Sequence, residues 1–193
     1  MPKRTNSTKS KIVEAAWQLF YEQGYDDTTI DEIIEKSCTS KGSFYHYFNG
    51  KEELLGSLPT LFDDKYESLA ELIAPESNRF DILMWLNKEL FRMIENSVSI
   101  DMLAGMYSAQ LTPKSDKQLL DHSRFYFRLL RKIIMEGIER GEINGNESVN
   151  DIIKVYAMCE RSFLYDWCIC NGEYSLSEYS AKMLPRFMSF YRK

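Results

Sequence analysis

Hydroxyls, amines and an imidazole crowd the stretch TTIDEIIEKSCTSKGSFYHYFNGKEELL, residues 28–55. Thr29, Thr39, Ser40, Lys41, Ser43, Tyr45, His46, Tyr47 and Lys51 all fall within it. They form no nucleophile–base pair, no paired metal ligands and no phosphate loop, so they offer recognition rather than bond-making. Tyrosine hydroxyls at Tyr45 and Tyr47 suit donation to phosphate oxygens, as does the Lys51 cation near a helix N-terminus. Thr29, at a helix start of its own, is placed for a similar contact. Thr39, Ser40, Lys41 and Ser43 are candidates for base edges, lysine being suited to guanine acceptors. Gly42 allows a close approach of backbone to a partner, and His46 can reach a phosphate.

Two short helices position these groups. Thr29 caps the first, with Glu32 three residues on to complete a capping box. Ile30, Ile33 and Ile34 give that helix one apolar stripe. Ser37, Cys38 and Thr39 break the pattern, and Ser40 caps a second helix in which Phe44 and Phe48 share a face. Two short helices and a turn describe a helix-turn-helix, which lays its second helix in the DNA major groove. Upstream, Ile12, Ala15, Ala16, Leu19 and Phe20 predict a scaffold helix over about 9–23, closed by Gly24 as a left-handed cap. Trp17 and Tyr21 are read as packing residues.

These features together resemble the DNA-binding domain of the TetR family of bacterial transcriptional regulators. The resemblance rests on KIVEAAWQLFYEQGYDDTTIDEI followed by SKGSFYHYF and KEELL, and covers roughly the first third of the chain. The sequence departs from the pattern at Cys38, where the turn usually carries glycine, at Thr39, where an apolar residue is usual, and at Tyr47, where histidine is common. A residue other than glycine in that turn is strained if its φ is positive. A redox role for Cys38 rests on no more than its neighbour Lys36.

Net charge of −5 argues against bulk affinity for nucleic acid. The positive charge is instead local: Lys3, Arg4, Lys9 and Lys11 stand without an acid in the first eleven residues, expected to begin as a flexible basic arm, and Lys36, Lys41 and Lys51 surround the second helix pair. An apolar fraction of 44% predicts a packed globular protein. No apolar run reaches the length of a membrane span, and the basic N-terminus lacks the apolar core of a secretory signal. Four cysteines, at 38, 159, 168 and 170, build neither a disulfide framework nor a zinc signature, and two histidines make a metal site improbable. A reduced cytoplasm, with no cofactor, is the expectation.

The remainder predicts helices throughout: from Lys51 towards Ala74 with a kink at Pro59, then about 79–96, 100–111, 116–140, 149–170, and from a Ser175/Glu178 capping box to the chain end. Thr112-Pro113 is read as a break. The expected fold is all-α, about nine helices: an N-terminal domain over 1–50, with the next helix running to about 66, and a ligand-binding and dimerisation domain over 51–193. Trp85, Phe91, Met102, Met106, Tyr107, Phe125, Phe127, Tyr156 and Phe163 are candidate walls for a small apolar or aromatic effector between helices. Arg128, Arg131, Glu160 and Arg161 can pair in the bundle or meet an anionic ligand, with placement on the surface favoured.

Apolar residues surround much of the last two helices, from Ile152 to Phe190, and such surplus needs burial. The resemblance implies a homodimer through a four-helix interface and a palindromic double-stranded DNA operator. It further implies a repressor that the effector releases; an enzyme of the helical-bundle type lacks supporting chemistry, with no Ser/His/Asp or Cys/His grouping, no paired metal ligands and no phosphate loop. An activator, or a helical protein-interaction module that keeps the helix-turn-helix only as a fold, stands as the alternative.

Overall fold

In a computed structural model the described residues are 7–111 and 117–193. The proposed arm residues Lys3 and Arg4, the Thr112-Pro113 break and the start of the helix expected at Asp116 lie outside them. Among the described residues the fold is all-α, and the isolated bridge between Ile143 and Arg192 is the one β-type pairing. The chain divides into two compact units. One comprises the described residues of Met1–Leu58 and Gly105–Gln118, the other Pro59–Ala104 and Leu119–Lys193.

In the first unit α1 (Thr8–Gln23) buries Ile12, Ala15, Ala16, Leu19 and Phe20, the residues of the apolar spacing. Ser7 caps it, and Gly24 ends it at φ 91, a backbone region open to glycine. Trp17 donates from Nε1 to Ser57 Oγ at 2.8 Å, whereas Tyr21 is 75% exposed and does not pack. Its position lies off the i, i+3, i+4 stripe, so the helix turns it to water. Helices α2 (Ile30–Lys36) and α3 (Lys41–Tyr47) follow.

The helix expected from Lys51 towards Ala74 with a kink at Pro59 is α4 (Lys51–Leu54), a 3-10 turn (Leu55–Ser57) and α5 (Leu58–Ala70). Pro59 is the second residue of α5, where its missing N–H costs nothing, so the irregularity precedes the proline. Helix α7 (Ile100–Leu111) has Gly105 over Leu55: a Cβ there would stand 2.5 Å from Leu55 Cδ1. A side chain there would require Leu55 to move.

The second unit packs α6 (Arg79–Ser97) against α10 (Leu176–Phe187) and α8 (Phe125–Glu139), and α9 (Val149–Ile169) against α8 and α10. Helix α8 begins later than its apolar residues predict. Residues 118–120 form a 3-10 turn, Asp121 Oδ1 accepts the Ser123 N–H at 2.8 Å, and Arg124 is extended. No local side chain caps α8. Asp63 of α5 does so instead, its Oδ1 accepting the Tyr126 N–H at 3.1 Å while Arg124 grips the same carboxylate from Nε at 2.9 Å. At the other end, Ser175 accepts the Glu178 N–H, but the Glu178 carboxylate pairs with Lys88 at 2.9 Å rather than completing the box. Helix α10 stops at Phe187, and a 3-10 turn carries the chain to the bridge at Arg192.

Candidate nucleic-acid interface and buried core

The capping box at the start of α2 is complete. The Thr29 N–H donates to Glu32 Oε2 at 2.7 Å, and the Glu32 N–H returns to Thr29 Oγ1 at 3.3 Å. These bonds, the backbone one first, hold the Glu32 carboxyl below its ordinary range. Thr29 also donates its hydroxyl to Glu32, so its free capacity is as an acceptor. Ser37 is buried, donates to Ile34 O at 3.1 Å and pairs with Thr39 Oγ1 at 2.8 Å. Cys38 carries the turn at φ 52, the left-handed geometry that glycine would adopt without strain. Ser40 then caps α3, accepting the Ser43 N–H at 3.0 Å.

Seven residues long, α3 is pinned by Phe44 and, just past its end, Phe48, both buried. That anchorage turns Lys41, Gly42, Tyr45, His46 and Tyr47 outward, all exposed, with Ser43 and Thr39 half-exposed. The Tyr45 and Tyr47 rings are braced edge-on by Phe44 and His46, at 5.4 and 4.7 Å. Lys41 meets Asp31 at 3.3 Å, but both side chains are more than two-thirds exposed (67% and 79%), a pair worth at most about 1 kcal/mol. A phosphate or guanine can draw this lysine away.

Lys51 is differently placed. Its Nζ donates to three carbonyls of the loop joining α1 and α2: Tyr25 at 2.6 Å, Asp26 at 3.2 Å and Thr28 at 2.9 Å. It also lies over the Tyr25 ring at 4.3 Å. The ammonium ties the loop to the start of α4.

Of the candidate ligand residues, Phe91, Met102, Phe127, Tyr156 and Phe163 are buried in the second unit, where Phe91 and Phe163 meet edge-on at 6.4 Å. Phe125 is half-buried under the Arg128 guanidinium. Trp85 lies apart, on a groove beside Leu72 and Ile73. Met106, buried, and Tyr107, half-buried, belong to the first unit's share of α7.

Arg128 and Arg131 are exposed as expected, but Glu160 is not. It is buried in the second unit with hydrogen bonds from Tyr126 at 2.6 Å, Tyr66 at 3.1 Å and Asn87 Nδ2 at 3.1 Å. These partners come from α8, α5 and α6. Burial pushes the Glu160 carboxyl up, against those hydrogen bonds; burial and then Glu160 itself push Tyr66, Tyr126 and Tyr156 well above the phenol range. The signal was in the sequence: Glu160 falls on the stripe of Ile153, Tyr156, Ala157, Phe163, Leu164 and Trp167. Asn87 lies likewise among the buried residues of α6.

Among the described residues no cluster of His, Cys, Asp and Glu could hold a metal ion, and no helix is long and apolar enough to cross a membrane. Residues 12–58 match the family described as bacterial regulatory proteins, tetR family. Over 151 residues the chain is 28% identical to YvdT of Bacillus subtilis, an uncharacterised HTH-type transcriptional regulator, covering 78% of this chain and 76% of that one. Over 139 residues it is 29% identical to the HTH-type transcriptional repressor DhaR of Mycobacterium sp., covering 70% and 69%. In fold it is similar to FadR of Thermus thermophilus, a TetR-family repressor solved with lauroyl-CoA, with a TM-score of 0.68 over 94% of each chain at 22% identity. A short reading helix turned outward by two buried phenylalanines, in a segment that matches this family, is what a DNA-contacting element requires. Residues 12–58 thus carry the DNA-binding segment of bacterial regulatory proteins of the tetR family, and the longer relatives that the chain resembles are HTH-type transcriptional regulators.

Proposed function

We propose that the chain acts in the cytoplasm as a homodimeric repressor that occupies a palindromic operator and leaves it when a small apolar or aromatic effector binds among the helices of residues 51–193. The observation that carries this reading is the outward face of α3, where Lys41, Tyr45, His46 and Tyr47 stand exposed on a buried Phe44/Phe48 base. Tyr45, His46 and Tyr47 take phosphates, and Thr39, Ser40, Lys41 and Ser43 take base edges. A side chain at Gly42 would meet nothing nearer than Ser40 Oγ at 3.9 Å, so the glycine leaves room for DNA backbone rather than for a protein neighbour.

Dimerisation is supported by α9 and the chain after it. Met158, Tyr165, Ile169, Phe187 and Phe190 are all more than half exposed, an apolar surplus that a second copy would bury. A twofold pair of α3 helices then meets half-sites about 34–36 Å apart in successive major-groove turns. Repression and ligand response are supported by the repressors DhaR and T. thermophilus FadR, the latter with lauroyl-CoA. An effector that favours the DNA-incompetent spacing of the α3 pair shifts the population and frees the operator.

The test is selection of duplexes from a random library on the full chain, followed by anisotropy titrations. A twofold consensus is expected. Tyr47→Ala should weaken all sequences alike and reduce the salt dependence, while Lys41→Ala should change the preference among sequences. A chain that stays a single subunit and enriches no twofold site would instead be an interaction module.

A further inference from the structure

Two carboxylates of the second unit are each matched by an arginine. Asp63 is gripped at both oxygens by Arg124, at 2.9 and 3.1 Å, and Glu136 accepts Arg79 Nε at 2.6 Å. Glu160, only 5% exposed, has no lysine or arginine within ion-pair distance among the described residues. Its donors are neutral: Tyr126 Oη, Asn87 Nδ2, and Tyr66 Oη at 3.1 Å from one oxygen and 3.5 Å from the other. Neutral dipoles stabilise a carboxylate without cancelling its charge, and a buried charge left uncompensated is costly.

A second observation lies beside it. Asn87 is fully buried and gives its Nδ2 to Glu160, which leaves its Oδ1 with no donor. A buried amide oxygen without a partner costs about 1–3 kcal/mol. Carboxylate and orphan carbonyl are both acceptors, adjacent, and flanked by the Tyr66 and Tyr126 rings, whose centroids are 5.1 Å apart. A group that satisfies this set brings positive charge, at least two N–H donors and tolerance of aromatic faces.

We propose that Glu160 and Asn87 form the recognition point for a primary or secondary ammonium group, so that the effector is an organic amine with an apolar or aromatic body. This rests on the reading of the second unit as effector-binding. A carboxylate or phosphate is repelled there, and a quaternary ammonium has no N–H for Asn87 Oδ1. The ammonium enters by replacing Tyr66, whose hydrogen bond is split between the two oxygens. Tyr66 belongs to α5, which the 3-10 turn Leu55–Ser57 joins to α4 after the reading helix. Occupancy therefore acts on that connection first.

The test uses full-length protein with probes sharing one body: octylammonium, octyltrimethylammonium, octanoate and 1-octanol, with 2-phenylethylammonium and 2-phenylethanol as the aromatic pair. Binding is read by calorimetry and by release of the selected operator duplex. Each primary ammonium should bind at least tenfold tighter than its uncharged, anionic or quaternary counterpart and should release DNA. Glu160→Gln should remove that preference, so that octylammonium binds the variant no tighter than 1-octanol does. Octanoate binding as well as octylammonium, failure of both ammonium ions at millimolar concentration, or a preference that survives Glu160→Gln would each overturn the proposal. Should that variant not fold, the wild-type series decides alone. Operator binding without any probe is scored separately: its absence refutes the regulator reading, whereas intact DNA binding with no amine preference refutes only the ligand class.

Discussion

Lys51→Met separates two roles for one cation. The substitution keeps the aliphatic stem and removes the ammonium, and with it three carbonyl contacts and the approach to the Tyr25 ring. A hydrogen bond to a charged group contributes about 1.5–3 kcal/mol. The three here share one ammonium, and Asp26 is exposed, so water replaces part of what is lost. The expected loss is therefore about 2–3 kcal/mol rather than the sum, more than a tenfold change in the folded-to-unfolded ratio. Urea unfolding followed through Trp17, which sits in the same unit, should show a lower midpoint at unchanged slope. Operator titrations across a salt series complete the assay. A lysine that holds the loop leaves the slope of log affinity against log salt unchanged, whereas a phosphate contact lowers its magnitude by about 0.9. Unchanged stability together with a reduced slope would refute the loop-holding role.

Cys38→Gly should stabilise the first unit by about 0.5–1 kcal/mol, because relief at φ 52 exceeds the added freedom of glycine in the unfolded chain; a lower urea midpoint would show the turn to be unstrained. Burial raises the Glu160 carboxyl, so its protonated form is the one folding favours. Its contribution is fully present below the ordinary glutamate range and is lost as pH rises through the raised value. The neutral Glu160→Gln should therefore gain stability relative to wild type as pH rises, a trend read by thermal unfolding across a pH series; a constant difference would refute the assignment. Asp63→Asn should cost the second unit about 2–3 kcal/mol, less than a fully buried pair because its carboxylate is 15% exposed. Arg124→Met should then add little in that background, as a double-mutant cycle would show.

Local signals carried the first unit well. The Thr29 and Ser40 caps, the Phe44/Phe48 anchor and the apolar spacing of α1 depend on residues within one or two turns, and the structure has them as the spacing predicts. The carbonyl partners of Lys51 were not legible locally, because they lie 23–26 residues upstream. The same holds for α8, whose true start depends on Asp63, and for Glu160, whose donors come from three other helices. Charge alone placed Glu160 at the surface. Its helical register placed it inside, and register was the better guide.

The start of α8 is secured from 63 residues earlier in the chain, by a carboxylate on another helix. A peptide spanning α8 alone would fray at its first turn, for want of an acceptor that its own sequence does not supply. In the intact chain, α5 cannot slide along its axis without taking that acceptor from the Tyr126 amide. Displacement of α5 thus deprives the first turn of α8 of its cap, which couples the two helices.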